Sequence, residues 1–505
     1  MAPYFIDWDA YRADFEKEAT RVLGQKVTVS GKAKARLLPF PSVTFEDVRV
    51  GDPEKPLVVA DRFSMDAELA PFLSGEFLIF DMRVVNPTID LEIDERGMPD
   101  WSLPSAGPVS PARVVLENAR ITNGAITLHD RIDGRDWAMD GINATVSAES
   151  LLGPYKIDGN GWMKTTPLAF RINTGQLSKD GFSLRTVLEM ERQGIELAVD
   201  GKLAEPEDAA GAPYNGTFTV RPLAGMSDRR YVVTGGFAAS PRAVEVSEYR
   251  GEFGPVADPY VVTGSAGISG GETPRYHVEV TGTQVMLPEA GTGTEGQAPS
   301  GTAIPFSKRL ETVQSTLAAL PFPPIPGSLD VDLPAVVAGD TTIRDIKLVA
   351  SPDTSEDADP RRQWRVTDFE AQLPGRTTVE ANGLLQLPLA ETEEPARFAG
   401  SLVVASRQPS GLATWLTGSA DESIRRLANA GVAADISFSP ERQTVDNLEV
   451  ILGPARMRGH LERVSDPARR ATLDIALSGE DIDFDALEAL SAIFIGKDGA
   501  ARFAD

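Results

Sequence analysis

The sequence contains no cysteine, only three histidines and no long apolar run. Without cysteine there is no disulfide framework, no thiolate nucleophile and no cysteine-based zinc site. The histidines, His129, His277 and His460, are far apart in the sequence and none lies at the spacing of paired metal ligands. No stretch of about 18 apolar residues occurs, so the sequence as given predicts no transmembrane helix and no signal-peptide core.

Positive charge is also scarce. Lys and Arg number 49 against 74 Asp and Glu, which gives the 505-residue chain a formal charge of −25. Such an excess of acid repels phosphate backbones unless a basic patch offsets it. The densest basic stretches, residues 32–36 and 425–426, are short. Nucleic acid is therefore not an expected partner.

Three catalytic or ligand-binding motifs are incomplete. Gly267 to Gly271 fits G-x-S-x-G, but strand-like alternation follows it where a nucleophile elbow needs a helix. The acidic run between Glu480 and Asp485 lacks the glycine and ligand order of a calcium loop. No glycine-rich loop ends in Lys-Ser or Lys-Thr. We therefore predict a non-enzymatic protein with no catalytic residue, no cofactor site and no metal site.

The sequence patterns predict one amphipathic helix followed by many strands. Apolar residues recur at three- and four-residue steps between Phe5 and Leu23, and Gly24 stands where a C-cap glycine belongs. Two-residue alternation then dominates, and Asn-Gly or Asp-Gly dipeptides punctuate it in the manner of hairpin turns. These dipeptides begin at Asn123, Asp133, Asp158, Asp180, Asp200, Asn215 and Asn382. The predicted fold class is mainly β, an elongated and twisted antiparallel sheet that is groove-like or repeat-like, with the N-terminal helix and a few small helices.

Composition shifts divide the chain. Residues 291–302 are rich in Gly, Ser and Thr, and residues 321–327 are dense in proline, with a helical pattern between them. The predicted regions are an N-terminal region at 1–104, a β-rich unit at 105–290, a connection at 291–327 and a second β-rich unit at 328–505. A weak internal echo, in which Asp140, Asp345 and Asp446 each begin a strand with an acidic turn, raises the possibility of a duplication.

The N-terminal region resembles the amino-terminal signature of the AsmA family of bacterial envelope proteins. The segments that carry the resemblance are YFIDWDAYRADFEKEATRVLGQKVTVSG, ARLLPFPSVTFEDVRVGD and FLSGEFLIFDMRVVNPTIDLEIDERGMPDW. Within them the matching positions are Trp8, Gly24, Gly31, Pro39, Pro41, Gly75, Pro87 and residues 97–101. Two later segments, IDGINATVSAESLLGPYKIDGNG and RFAGSLVVASRQPSGLATWLTG, resemble the family's β units more loosely.

This resemblance implies a periplasmic, β-rich body anchored to the inner membrane and linked to outer-membrane biogenesis, related to grooves that conduct phospholipid. The anchoring helix of that pattern is missing from this sequence, and we expect it before Pro3 in the full-length protein. Implied partners are phospholipid or another envelope lipid, the inner membrane through that helix, and outer-membrane assembly proteins.

The expected lipid contacts are apolar residues on alternating strand faces. They are Leu184, Leu188, Ile195, Leu197, Val199, Val278 and Val280. A twisted sheet with one apolar face can line a trough in which acyl chains replace water, at about 0.8 kcal/mol per buried methylene. The same alternation also fits two sheets that pack into a filled sandwich. The alternative function is a structural factor that assembles outer-membrane proteins through contacts at sheet edges.

Overall fold

The computed structural model divides the chain into two compact units. The first is Met1–Asp258 with Ile268–Thr273, and the second is Pro259–Gly267 with Pro274–Asp505. The predicted connection at 291–327 lies outside the described residues except for its last three. The structure describes residues 12–36, 41–68, 77–94, 114–131, 134–150, 152–176, 178, 181–204, 213–225, 231–240, 242–254, 259–270, 273–282, 285–287, 325–338, 341–353, 362–387, 396–417, 420–439, 442–464, 472–479 and 488.

The prediction of a mainly β chain with a few short helices is confirmed. Among the described residues the helices are α1 (Arg12–Leu23), α2 (Pro409–Thr417) and α3 (Glu422–Arg426). The predicted N-terminal helix is present from Arg12, and residues 5–11 lie outside the described part. Gly24 has φ 70°, and its N–H donates to the carbonyl of Thr20, so the predicted C-cap is confirmed.

Helix α1 packs on the first strands. Phe15 meets Phe45 edge to face at 5.4 Å between ring centres. Glu16 and Thr20 accept hydrogen bonds from the backbone N–H groups of Val29 (2.7 Å) and Val27 (2.9 Å). The helix therefore covers an apolar patch and satisfies strand donors that would otherwise form an open edge.

The strands of the first unit are long and mostly antiparallel. From β7 onward each strand pairs with the next in chain order as far as β15. They are β1 (Val27–Val29), β2 (Ala33–Arg36), β3 (Ser42–Gly51), β4 (Pro56–Ala67), β5 (Phe77–Val85), β6 (Thr88–Ile93), β7 (Val114–Asp130), β8 (Arg135–Ala148), β9 (Tyr155–Met163), β10 (Thr166–Thr174), β11 (Phe182–Met190), β12 (Ile195–Leu203), β13 (Tyr214–Pro222), β14 (Tyr231–Ser240) and β15 (Ala243–Phe253).

Further strands follow in the described residues, and β19 to β27 among them again pair antiparallel in chain order. They are β16 (Tyr260–Ser269), β17 (Arg275–Gly282), β18 (Val285–Leu287), β19 (Gly327–Ala338), β20 (Thr341–Pro352), β21 (Arg362–Leu373), β22 (Thr377–Leu387), β23 (Arg397–Ser406), β24 (Ala430–Phe438), β25 (Arg442–Leu452), β26 (Ala455–Val464) and β27 (Thr472–Gly479).

Within the described residues, parallel pairing interrupts the expected antiparallel meander in each unit. Strands β5 and β6 both run parallel to β7, and β17 and β18 both run parallel to β19. Parallel neighbours need a crossover instead of a hairpin. In both cases a strand that is broken in the middle precedes a long connection, so the two units share this local arrangement.

Most of the predicted hairpin turns are wrong. The dipeptides that begin at Asn123, Asp158, Asp200, Asn215 and Asn382 lie inside strands, and Asp133 and Asp180, which begin the other two, lie outside the described residues. The acidic echo was also misplaced, because its residues lie within β8, β20 and β25 and not at strand starts. Asn123, Asp345 and Asn447 have φ between 47° and 52° at breaks in strand register, where Asn and Asp tolerate the left-handed conformation of a β-bulge.

Candidate functional site

Five of the seven predicted lipid-contact residues lie together on one face of the first unit. Strands β11 and β12 pair so that Leu188 lies opposite Leu197 and Thr186 opposite Val199. Because side chains alternate between the two faces of a strand, Leu184 and Ile195 share this face. The predicted alternation is thus reproduced across two neighbouring strands.

The same apolar face extends over six strands, β9 to β14. Phe170 of β10 lies opposite Leu188, and Phe218 of β13 lies opposite Val199. We call this surface the open face. Its apolar side chains include those of Ile157, Leu168, Phe170, Ile172, Leu184, Leu188, Ile195, Leu197, Val199, Tyr214, Phe218, Val220, Val233 and Phe237.

The open face is only partly covered. Of its apolar side chains, only Leu168 is buried, with 9% of its surface exposed, and all the others remain partly exposed. None of the buried apolar clusters of the described residues contains a residue of β10 to β14. In a filled sandwich the facing layer would bury these side chains. Within the described residues, the open face of β10 to β14 therefore has no second layer packed against it.

The second unit shows what a covered apolar face looks like in this chain. There Ala455 and Met457 are 1% exposed and belong to a cluster with Leu448, Val450 and Leu452. The open face has the same kinds of side chain at the same spacing but no comparable cluster. Its exposure is therefore a property of the packing and not of the residue types.

The reverse face of β9 to β13 carries charged side chains that pair across neighbouring strands. Arg171 pairs with Asp158 across β9 and β10 (Nε to Oδ1, 3.0 Å), and Arg221 pairs with Glu196 across β12 and β13 (Nη2 to Oε1, 2.6 Å). A depression of about 490 Å³ near this face is bordered by charged and amide side chains such as those of Arg120 and Asn160. Exposed ion pairs of this type stabilise little, and they keep the reverse face in water.

Glycines bring the backbones of the open face close together. Gly201 and Gly216 lie opposite each other, and a Cβ placed on Gly216 would lie 2.5 Å from the Gly201 Cα and 2.1 Å from the Asp200 carbonyl oxygen. The Phe218 ring covers Gly235 on the next strand, where an added Cβ would come within 2.8 Å of it. Glycine kinks of this kind allow a sheet to curve. They explain the three dipeptides of the open face that resembled turns, which begin at Asp158, Asp200 and Asn215.

Val278 and Val280 lie apart from the other five residues. They are on β17 of the second unit, where they lie opposite Leu329 and Val331 of the parallel strand β19. Both are partly exposed. The structure therefore places the seven predicted contacts on two apolar faces, one in each unit. Sequence reasoning omitted Phe170, Phe218 and Val220 from the open face, although each continues the two-residue alternation of its strand.

Residues that could support catalysis are scattered. Ser269, in the G-x-S-x-G match, ends β16, and β17 is the next described element, so the strand-turn-helix geometry of a nucleophile elbow is not formed. His129 lies 2.7 Å from Asp136 on the neighbouring strand. His277 and His460 lie on β17 and β26. In the part of the chain that the structure describes, no three His, Asp or Glu side chains are grouped so that they could hold a metal ion.

The helices also differ from membrane anchors, since none in the described ranges combines the length and the apolar character needed to cross a bilayer.

Comparison with known proteins gave one clear result. No family model, curated protein or solved structure matches this chain.

Proposed function

We propose that this chain is a non-enzymatic, AsmA-like envelope protein that binds the hydrocarbon of lipids on the open face of its first unit. The supporting observation is the partial exposure of an apolar surface that extends over six strands. Soluble proteins rarely leave a continuous apolar surface of this extent without a binding partner. Acyl chains match it chemically, because its side chains are aliphatic and aromatic.

The two faces of the sheet would have different roles, one binding hydrocarbon and the other facing water. Hydrocarbon covers the leucines, valines and phenylalanines of the open face and removes them from water. The reverse face stays hydrated through pairs such as Arg171 with Asp158. The excess negative charge of the chain opposes non-specific adsorption to anionic lipid surfaces, so binding would be directed to the open face. The N-terminal resemblance supports a location in the bacterial periplasm and attachment to the inner membrane.

The test is lipid uptake by two matched double variants. Leu188→Gln with Leu197→Gln changes a facing pair on the open face, and Val187→Gln with Ala198→Gln changes the adjacent facing pair on the reverse face. Each of these partly exposed leucines has at most about 1 kcal/mol still to gain when hydrocarbon covers it, so losing two reduces affinity by up to roughly 30-fold.

Binding of a fluorescent phospholipid and mass spectrometry of co-purified lipid provide the two readouts. We expect the open-face variant to lose binding and the reverse-face variant to keep it. An unmodified chain that neither co-purifies with phospholipid nor takes up the probe would refute the proposal.

A second candidate function is assembly of envelope proteins through a sheet edge. In the described residues β27 is paired only with β26, and its backbone ends at Gly479 with most of its residues exposed. An unpaired edge can accept a strand from a partner. Crosslinking in cells from a position on β27 would favour this function if it captured a protein while lipid binding was absent.

A further inference from the structure

A separate apolar pocket lies in the second unit between helix α2 and the sheet. Its volume is about 270 Å³. Leu412 of α2 forms one wall, and apolar side chains of β23 to β27 form the others, among them Val404, Val432, Leu461 and Leu477. The open face has no such helix among its described residues, whereas helix α2 makes this pocket a partly open cleft.

Helix α2 is held in place by backbone contacts rather than by filling the pocket. A Cβ on Gly411 would lie 2.8 Å from the Cα of Gly375, so the helix backbone rests on the turn between β21 and β22. Just before the helix, Ser406 donates a hydrogen bond to the Gly375 carbonyl (3.0 Å), and Gln408 N–H donates to the same carbonyl (2.9 Å). These contacts fix the distance of Leu412 from the sheet.

The lining contains no group that is available for a polar ligand. Ser406 is its single polar residue and is 3% exposed. Its hydroxyl already donates to Gly375, accepts from Gln408 N–H at 3.3 Å and lies 2.9 Å from the Thr377 hydroxyl. A cleft with such a lining offers water few hydrogen bonds and favours apolar molecules.

The volume limits the ligand. A methylene group occupies about the same space as a water molecule in the liquid, roughly 30 Å³. The pocket thus has room for about nine methylenes, which is enough for the end of one straight chain and too little for a two-chain lipid.

We propose that this pocket binds the terminal part of a single straight acyl chain and measures its length. The proposal rests on the proposed lipid-binding function but concerns a different site in a different unit. Each methylene that enters should raise affinity about fourfold until the pocket is full, after which longer chains gain nothing.

Titration calorimetry of the full chain with straight-chain 1-alkanols of six to fourteen carbons tests this. Alkanols are chosen because a neutral head group avoids repulsion by the acidic chain. We expect affinity to rise steeply and to level off near nine or ten carbons. Affinity that is independent of chain length, or that rises without a plateau, would overturn the proposal.

A matched pair of variants locates the site. Val404→Phe fills part of the pocket, whereas Val403→Phe places the same ring on the opposite, exposed face of β23, where Val403 is 41% exposed. Val404→Phe should weaken decanol binding at least tenfold and move the plateau to shorter chains, and Val403→Phe should change neither. Equal losses would contradict the assignment. If Val404→Phe does not fold, the dependence of affinity on alkanol chain length in the unmodified protein still tests whether the pocket binds a single straight chain.

Two further measurements separate this proposal from other outcomes. The Leu188→Gln and Leu197→Gln variant should lose phospholipid uptake and keep alkanol binding, so the two sites can fail independently. Removal of residues 480–505 tests whether the chain's own end occupies the pocket. Alkanol binding that is absent from the full chain and appears after the removal would overturn the acyl-chain assignment.

Discussion

The cost of truncating Leu197 distinguishes an uncovered face from a filled interior without any lipid. Leu116 and Leu197 lie in the same unit, but Leu116 is 7% exposed within a buried cluster and Leu197 is partly exposed on the open face. Leu116→Ala leaves a cavity and should cost about 2–5 kcal/mol of unfolding free energy. Leu197→Ala removes three carbons that are mostly but not fully covered, at about 0.8 kcal/mol each when fully buried, and leaves no enclosed cavity, so it should cost about 1.5–2 kcal/mol.

Urea denaturation monitored by far-ultraviolet circular dichroism measures both costs, and the matched substitutions keep the denatured-state contribution similar. The predicted result is a larger shift of the urea midpoint for Leu116→Ala than for Leu197→Ala. Equal destabilisation by the two substitutions would mean that Leu197 is covered in solution, and the reasoning from the open face would be refuted.

Three other substitutions test local features. Hydrogen bonds from Lys55 and, to a smaller extent, Arg131 lower the pKa of Glu92 to about 2. The ionised Glu92 therefore stabilises the fold above pH 4.5, and this stabilisation is lost as the pH falls towards 2. The urea midpoint should fall more between pH 5 and pH 3 for the unmodified chain than for Glu92→Gln. Burial raises the pKa of Tyr276 to about 12. The contribution of the neutral phenol to the free energy of unfolding is therefore lost as the pH rises from 10 towards 12. Tyr276→Phe should reduce the fall in melting temperature between pH 9 and pH 11. Gly216→Ala should lower the free energy of unfolding by about 1–3 kcal/mol, because the added Cβ would clash with the facing strand. Gly236→Ala should be tolerated, because its Cβ would have one neighbouring atom within 4 Å, at 3.8 Å. Equal unfolding free energies for the two variants would contradict this.

Strand faces could be predicted from the sequence because their signal is local. Side chains two residues apart share a face, so the order of Ile195, Leu197 and Val199 was sufficient to place them together. The same local signal was available for Phe218 and Val220, which continue the alternation of β13.

Turn dipeptides misled the sequence analysis because glycine serves two purposes. Asp200-Gly201 has the chemistry of a hairpin turn, but the alternation of β12 continues through Gly201 to Leu203. Here the glycine permits close approach to Gly216 rather than a reversal of the chain. Uninterrupted alternation on both sides of such a dipeptide is the signal that favours the strand.

Other features depend on tertiary packing and have no local signature. The parallel pairing of β6 with β7 joins segments that are separated by twenty residues, so adjacent patterns could not predict it. Helix α2 was not placed by the sequence analysis, although Pro409 at its first position and the spacing of Leu412, Trp415 and Leu416 are helix signals. The pocket beneath it requires the contact of Gly411 with Gly375, which sequence alone does not reveal.

Photo-crosslinking tests the central claim most directly. A benzophenone amino acid at position 197 would lie on the open face, and the same group at position 198 would lie on the reverse face of the same strand. After irradiation in bacterial cells, the account predicts a phospholipid mass adduct at position 197 and none at 198. Equal adducts at both positions, or crosslinks at position 197 only to protein, would contradict it.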